Sequence, residues 1–464
     1  MTIQKKVFIE DSDRIAFNLK HRSTVKFNIS KYDFAVHKGM VNYVDIEQAK
    51  KRASNVKQGV VDNLPEYLLQ FEKNFIARGG VVLWAETAAD VIKAVQSILI
   101  ENSSELLVKS KSMTTEEIDF NEHMESIGVE SLETDLGEYI VQLAGEKPYH
   151  IVTPAMHKSK EDISMLFNQK FEIPDYSTPE FITAYVRKIL RNKFMQADVG
   201  VTGSNFLIAD IGAIALTENE GNAMMSFSFP KIHIAISGIE KLVPKMVNLG
   251  LFWPLLAVHG TGQQATVYNS IICGPRGIEE VDGPDKMYVI LLDNGRSELY
   301  RHSDQHIALK CIRCGACLNA CPIYKNIGGY TYASTYSGPI GSVITPFFKG
   351  FKLYNHLSYA CSVCGRCSDV CPVKLPLHKL MLYNRRDAVD RKYGTKLWDF
   401  GMKAYAFAFG KRSRLDLIDG RVKNGLGLLC RNALGKRKQI PTFATRSFSK
   451  QWRSTNKGNA VYYK

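Results

Sequence analysis

Residues 311–322, CIRCGACLNACP, contain four cysteines and end in proline, and residues 361–372, CSVCGRCSDVCP, repeat the pattern. Both stretches follow the spacing C-x-x-C-x-x-C-x-x-x-C-P. Three cysteines on a tight loop can hold three corners of an iron–sulfur cube, and in two-cluster ferredoxins the fourth cysteine ligates the other cluster. The spacing therefore predicts two [4Fe–4S] clusters in a small domain built around the two motifs.

The same rule predicts crossed ligation between the motifs. The first cluster is assigned to Cys311, Cys314, Cys317 and Cys371, and the second to Cys361, Cys364, Cys367 and Cys321. Two structural zinc sites are the alternative, but such sites favour separated C-x-x-C pairs, whereas here a third cysteine follows at once. Cys273 and Cys430 stand apart from the motifs and are expected to be buried free thiols.

Charge is distributed unevenly along the 464 residues, whose net charge is +14. Residues 1–300 contain 31 Lys and Arg against 39 Asp and Glu, whereas residues 301–464 contain 29 against 7 and no glutamate. Opposite charges predict separate domains with different partners. The predicted division is a mainly helical extension at 1–79, an α/β domain at 80–300, an all-α two-cluster domain at 301–385 and a basic C-terminal region at 386–464.

Strand and helix patterns alternate after residue 79. GGVVLWAE (79–86) is typical of a strand, TAADVIKAVQSIL (87–99) of an amphipathic helix, and ELLVKSKS (105–112) of the next strand. A helix is predicted next, with a capping box formed by Thr114 and Glu117. This order favours an α/β domain with a largely parallel sheet, followed by short helices around the cysteines.

The chain has no apolar run of signal-peptide or membrane-span length, so a cytoplasmic protein is expected. Disulfides are rare in that reducing compartment, which favours metal ligation for the cysteines. The tail at 431–464 has nine Lys and Arg and no acidic residue. It suits a peripheral contact with anionic lipid at the inner face of the membrane, an acidic redox partner, or plain solvation. No nucleic-acid-binding motif is present, so no nucleic-acid partner is expected.

Several longer motifs resemble the lactate utilization protein B family, the iron–sulfur subunits of a bacterial L-lactate oxidising system. They include KSKSMTTEEI (109–118), VTGSNFLIADIGAIALTENEGNA (201–223) and GGYTYASTYSGPIGSVITP (328–346), beside both cysteine motifs. The resemblance implies an N-terminal LUD domain, which shares the fold of glucosamine-phosphate deaminases and CoA transferases, followed by an α-helical ferredoxin module. It also implies two companion proteins that take part in converting L-lactate to pyruvate.

Two turns are candidates for binding an anionic substrate. Lys109, Lys111 and Ser112 follow a predicted strand at the start of a helix, where free N–H groups favour a carboxylate or phosphate. Thr202 and Ser204 belong to the glycine-containing turn TGSN at 202–205. Solvated loops are the alternative in both places.

Glu218 and His233 are the candidates for a catalytic role. Glu218 lies in TENEGN (217–222), and in CoA transferases a glutamate near such a turn is the nucleophile, although a plain β-turn is the simpler interpretation. His233 alternates with apolar residues along a strand and is either a base for a substrate hydroxyl or a structural histidine.

The function expected from these features is that of an electron-transfer subunit in a complex that oxidises L-lactate to pyruvate. Glycolate or another small hydroxy acid is an alternative substrate. A second class of function is a CoA- or acyl-transferase-like enzyme whose clusters serve only stability. No G-x-G-x-x-G fingerprint follows a strand, so neither flavin nor nicotinamide is expected in this chain.

Overall fold

The computed structural model describes residues 2–434 and 442–455, and for residues 429–434 it describes the backbone alone. The predictions for the Cys430 thiol and for residues 435–441 and 456–464 of the basic tail therefore lie outside the described residues. The chain forms two compact units, Met1–Ala388 and Val389–Lys464. Among the helices described, none combines the length and apolar character needed to cross a bilayer.

The first 76 residues form four helices, as the sequence predicts for the N-terminal segment. Polar side chains begin three of them: Thr2, Asn18 and Asp45 each accept a hydrogen bond from a backbone N–H of the first turn. These helices are α1 (Ile3–Ala16), α2 (Leu19–Met40), α3 (Ile46–Asp62) and α4 (Leu64–Ile76).

Residues 81–301 form an α/β layer structure with ten strands and nine helices in the described chain. The strands are β1 (Val81–Ala85), β2 (Leu106–Lys109), β3 (Glu130–Glu133), β4 (Val199–Thr202), β5 (Phe206–Ile208), β6 (Ala213–Glu218), β7 (Ile232–Gly238), β8 (Leu242–Val243), β9 (Tyr268–Ile272) and β10 (Lys286–Leu292). The helices are α5 (Ala88–Glu101), α6 (Met113–Glu117), α7 (Phe120–Ser126), α8 (Leu136–Leu143), α9 (Lys160–Phe171), α10 (Pro179–Gln196), α11 (Asn222–Ser228), α12 (Leu249–Thr261) and α13 (Arg296–Arg301).

The main sheet has six parallel strands in the order β1-β10-β7-β4-β2-β3. Its central strands β4 and β7 are buried along their whole length, as expected of a parallel sheet covered on both faces. A smaller sheet has the order β8-β5-β6-β9, with β5–β6 and β6–β9 antiparallel. Since the main sheet is parallel, the carboxyl ends of its strands meet at one edge, where ligands bind in open α/β sheets.

The helix predicted after the second strand differs from the expectation. Its N-cap is Ser112, whose hydroxyl accepts the Thr115 N–H, so the predicted capping box at Thr114 was wrong. The single predicted helix is divided into α6 and α7, because Asp119 between them adopts a left-handed conformation with φ of 50°.

The cysteine-rich segment is helical, with short elements around the motifs. They are α14 (Ala316–Ala320), α15 (Tyr324–Ile327), α16 (Gly338–Phe348), α17 (Phe351–Tyr354), α18 (Arg366–Asp369) and α19 (Leu377–Asp390). Helices α14 and α18, one from each motif, pack against each other and bring the motifs together.

One hydrophobic core joins the N-terminal helices, the smaller sheet and the cysteine-rich segment. Ile29 of α2, Phe206 of β5, Phe252 of α12 and Leu318 of α14 all belong to it. The predicted boundaries at residues 79 and 300 therefore fall inside one packed unit. The second unit consists of α20 (Lys396–Phe409), α21 (Arg412–Leu417), α22 (Gly420–Leu434) and α23 (Phe448–Thr455).

Candidate functional site

The eight motif cysteines form two groups of four. One small cavity is lined by Cys311, Cys314, Cys317 and Cys371, and a second by Cys321, Cys361, Cys364 and Cys367. Each group combines three cysteines of one motif with the fourth of the other. These are the two sets predicted for crossed ligation, although ligation itself stays a prediction.

Both motif loops have the same unusual backbone. In each motif, two residues have a left-handed backbone conformation: the residue two positions after the first cysteine and the glycine that directly follows the second cysteine. Their φ angles are 60° at Arg313, 78° at Gly315, 56° at Val363 and 81° at Gly365. This winding turns the Arg313 N–H toward Cys311 Sγ at 3.4 Å and the Val363 N–H toward Cys361 Sγ at 3.3 Å. Backbone N–H groups aimed at sulfur are suited to a thiolate-held cluster.

Burial raises the thiol pKa at cysteines of both groups. Burial, followed by the other cysteines nearby, raises the pKa of Cys367 to about 12. Burial is likewise the main cause that raises the pKa of Cys371 to about 11. Metal binding displaces the protons of such thiols, so a cluster would hold them as thiolates. The donor set therefore fits a [4Fe–4S] cluster in each group.

The two groups differ in their access to solvent. In the first group Cys314, Cys317 and Cys371 are buried, whereas in the second group Cys364 is exposed and Cys361 is half-buried. Tyr332, itself buried, lines the cavity of the second group. The first group thus faces the interior of the protein and the second group reaches its surface.

A much larger cavity, of about 800 Å³, lies beside the first group and includes Cys314 in its wall. It opens at the carboxyl ends of β2 and β4 and is bordered by the end of β6 and by the first cysteine loop. A volume of this size is typical of small-molecule sites. A ligand in this cavity would lie directly against the first cysteine group.

Two buried cations line the part of the cavity that adjoins the cysteines. Lys241 follows β7 and is buried in the cavity wall. Burial and the nearby Arg313 guanidinium lower the pKa of Lys241 to about 8. Arg313 donates from Nη2 to Glu240 Oε1 at 3.1 Å, while its Nε and Nη1 are buried without a partner.

Carboxylates and a lysine form another polar part of the cavity wall. Lys111 Nζ donates to Val152 O at 2.8 Å and lies 3.6 Å from Asp135 Oδ2. Glu220 Oε2 accepts the Leu136 N–H at 3.1 Å. Burial and then the Asp135 carboxylate raise the pKa of Glu220 to about 7, against the opposing effect of Lys111. Glu220 therefore gains or loses a proton near neutral pH.

Four of the predicted site residues line the cavity: Lys111, Ser112, Ser204 and Glu218. The two predicted turns are in contact, because a Cβ added to Gly203 would lie 2.6 Å from Ser112 Oγ. Ser204 Oγ is 2.6 Å from Ser237 Oγ. Glu218 accepts the N–H groups of Ala223 and Met224, both at 2.8 Å, at the start of α11. Both of its oxygens are thus used as a helix cap, which does not favour a nucleophilic role.

The other three predicted residues are not in the cavity wall. Lys109 is fully buried, and its ammonium contacts Glu133 at 2.6 Å and Glu116 at 3.1 Å. Thr202 Oγ1 and His233 Nε2 are 2.8 Å apart and both residues are buried. Burial lowers the pKa of His233 to about 3. These contacts favour structural roles and do not support anion binding by Lys109 or proton transfer by His233.

Lys241 and Asp135 were not predicted as site residues, Glu220 lies in the predicted TENEGN turn but only Glu218 was selected from it, and Arg313 lies within the first cysteine motif. Lys241 could have been found from the sequence, since it follows a predicted strand at the edge of the sheet where ligands bind. Asp135 and Glu220 lie on segments that are distant in sequence, and no local pattern links them.

A chain of buried ion pairs connects the first cysteine loop to the α/β layer. Arg313 contacts Glu240, and Glu240 Oε2 accepts a hydrogen bond from Arg296 Nε at 2.5 Å. Arg296 Nη2 in turn donates to Glu117 Oε2 at 2.7 Å, and Tyr336 donates to the same carboxylate at 2.8 Å. These contacts fix the position of the first loop against the sheet edge.

Comparisons with known proteins agree with this architecture. A family model described as the LUD domain matches residues 68–292, and one described as the 4Fe-4S dicluster domain matches residues 307–375. Lactate utilization protein B from Bacillus pumilus is 44% identical over 82% of this chain and 82% of that protein. This chain belongs to the lactate utilization protein B family. The protein of the same name from Geobacillus sp. is 42% identical over 75% of this chain and 73% of its own length.

Membership of the lactate utilization protein B family confirms the predicted fold class. A LUD domain with a parallel α/β sheet precedes a helical 4Fe–4S domain. A crystal structure of a DUF162 family protein from Deinococcus radiodurans matches 49% of this chain and 98% of its own, with 15% identity and a TM-score of 0.28. No conclusion rests on that likeness.

Proposed function

We propose that this chain is the iron–sulfur electron-transfer subunit of a complex that oxidises L-lactate to pyruvate. The observation that carries the proposal is the contact between the 800 Å³ cavity and Cys314, which belongs to the first cysteine group. The shared name of its relatives supports lactate as the acid and companion lactate utilization proteins as partners. The exposure of Cys364 supports the second group as the site that passes electrons to the next carrier.

The eight cysteines are proposed to hold two [4Fe–4S] clusters in the crossed arrangement, as Cys311, Cys314, Cys317 and Cys371, and as Cys321, Cys361, Cys364 and Cys367. When bound, two such clusters supply two one-electron carriers. The chain buries three of the four cysteines of the first group, Cys314, Cys317 and Cys371, and it brings the groups together through the packing of α14 on α18.

The cavity is proposed to hold the small hydroxy acid. Conversion of a 2-hydroxy acid to the 2-oxo acid removes the hydroxyl proton and, from the α-carbon, a hydrogen with its electron pair, which a redox group of a companion protein is proposed to accept. Glu220 is suited to accept the hydroxyl proton, because a general base works best when its pKa is near the working pH. Lys111 lies between the Asp135 carboxylate and the Val152 carbonyl, where it limits the negative charge around Glu220.

The test uses the full chain purified without oxygen, first analysed for iron and sulfide. Visible absorption is then followed after L-lactate or glycolate is added, with and without the companion lactate utilization proteins. We expect L-lactate to bleach the iron–sulfur absorption when the companions are present. Zinc in place of iron, or bleaching by glycolate alone, would contradict the proposal.

A further inference from the structure

The part of the cavity next to the cysteines carries positive charge that its protein neighbours do not neutralise. Four buried basic side chains surround two buried carboxylates, Glu117 and Glu240: they are Arg296, Arg313, Lys241 and Lys57. Arg296 contacts both carboxylates, and Arg313 contacts Glu240. A buried charge is costly unless it is paired, so this arrangement calls for a further anion.

Two of these basic side chains border the cavity. Lys241 is only 8% exposed and Arg313 only 7%, and both belong to the cavity wall. Arg313 Nε and Nη1 are fully buried and unpartnered in the described chain, and Lys241 belongs to the same cavity wall, where the charges of Glu240 and Cys311 act on its ammonium. Buried donors without acceptors are rare in native proteins and usually mark a ligand or water position.

We propose that Lys241 and Arg313 bind the carboxylate of the 2-hydroxy acid substrate and of its 2-oxo product. This inference rests on the proposed function, which places the acid in this cavity, and it names the groups that recognise it. A carboxylate offers acceptor oxygens to the ammonium and to the free guanidinium N–H groups, and charge-assisted bonds of this kind are strong. Bound there, the acid lies beside Cys314 at the wall shared with the first cysteine group.

The competing role for these cations is to stabilise the cysteine thiolates alone. Arg313 stands between Cys311 and Cys314 in the motif, and the charge of Cys311 acts on both cations. In that case the cavity would show no preference for a carboxylate over a neutral amide of the same shape. The difference can be measured without turnover.

The experiment measures binding of oxamate, a non-reacting analogue of the 2-oxo acid, to the oxygen-free full chain by titration calorimetry. Oxamide, in which an uncharged amide replaces the carboxylate of oxamate, is the matched probe. We expect oxamate to bind and oxamide to bind at least about tenfold more weakly. Equal affinity for the two probes, or no binding of oxamate, would overturn the proposal, and neither result depends on a variant that folds.

Lys241→Gln is the variant of choice, because it lies outside the cysteine motifs. We expect it to weaken oxamate binding at least about tenfold while the iron content stays unchanged. Lys245→Gln, an exposed position on the same segment and outside the cavity wall, should bind oxamate normally. Unchanged binding in Lys241→Gln would refute the site even if L-lactate still reduced the clusters. Selective oxamate binding without any reduction by L-lactate would instead refute the proposed function and leave the site intact.

Discussion

Arg296 is one of the fully buried charges in the described part of the molecule, and its guanidinium lies between Glu117 and Glu240. Removal of one partner from a buried ionic group costs about 3–5 kcal/mol, since the remaining charges are left unpaired. We therefore expect Arg296→Gln to lower the free energy of unfolding by about that amount. Denaturant unfolding of the metal-loaded chain measures the change.

Arg301→Gln is the matched control for this prediction. Arg301 belongs to the same helix, α13, and its side chain is 75% exposed with a 3.7 Å contact to Glu298. Exposed ion pairs contribute roughly 0–1 kcal/mol, so this variant should unfold almost as the parent does. Equal losses in the two variants would show that the buried network adds no stability.

Glu220 gives the expected pH dependence of lactate-driven reduction. Its pKa is raised to about 7 by burial and by Asp135, while Lys111 opposes the shift and Glu218 adds to it. The base is active when ionised, so the rate should rise as pH increases through about 7. Glu220→Gln should remove this step and lower the rate by about 10²–10⁴. Stopped-flow absorption of the full complex across this pH range provides the measurement.

Glu218→Gln serves as the comparison, because Glu218 lies two residues away and caps α11. We expect Glu218→Gln to keep the rise in rate as pH increases and to retain most of the rate of lactate-driven reduction. A CoA- or acyl-transfer activity that Glu218→Gln abolishes, while reduction of the clusters stays intact, would favour the transferase-like alternative.

At the level of residues, the sequence predicted what is locally encoded. The eight cysteines could be identified because each motif carries its ligands within twelve positions. Lys109 was predicted as an anion ligand, but its ammonium is paired with Glu133 on the neighbouring strand β3, a contact that a local stretch of sequence does not reveal. The pairing of Arg313 with Glu240 likewise joins segments that only the fold brings together.

The two cysteine loops are equivalent elements in different surroundings, which provides a prediction at this scale. Gly315 and Gly365 have nearly the same left-handed φ, 78° and 81°. A Cβ at Gly315 would lie 3.0 Å from Val152 Cγ2, whereas nothing lies within 4 Å of one at Gly365. Gly365→Ala should therefore cost only backbone strain, about 1–2 kcal/mol, and Gly315→Ala should cost more. Thermal unfolding and iron content of the two variants decide the order, and an equal loss would contradict it.

Secondary structure was predicted best where the pattern is long and regular. The strand at 81–85 and helix α5 were predicted from the spacing of apolar residues, and the parallel sheet was predicted from the alternation of strands and helices. The break between α6 and α7 was missed, because it depends on the left-handed Asp119, which has no distinct signal in the sequence. The meeting of the turns at Ser112 and Gly203 also escapes prediction, since it depends on the order of strands β2 and β4 in the sheet.

The crossed arrangement of the cysteines has a direct test on the whole molecule. Cys371→Ser should make Cys311, the half-buried member of its group, reactive to alkylation, while Cys321, Cys361, Cys364 and Cys367 stay protected by their cluster. Cys321→Ser should give the reverse pattern. Mass spectrometry after brief treatment with iodoacetamide identifies the modified thiols. If each substitution exposed the other cysteines of its own motif, ligation would be uncrossed.

The difference in burial between the two cysteine groups predicts the order in which oxygen damages them. Dissolved oxygen reaches the rim at Cys364 without any opening of the fold, whereas Cys314, Cys317 and Cys371 are covered. Brief aerobic handling should therefore destroy the outer site first. If the two groups hold the proposed clusters, such half-damaged molecules would still accept an electron at the inner site but could not pass it on. They would then bind substrate normally and stop after one electron transfer.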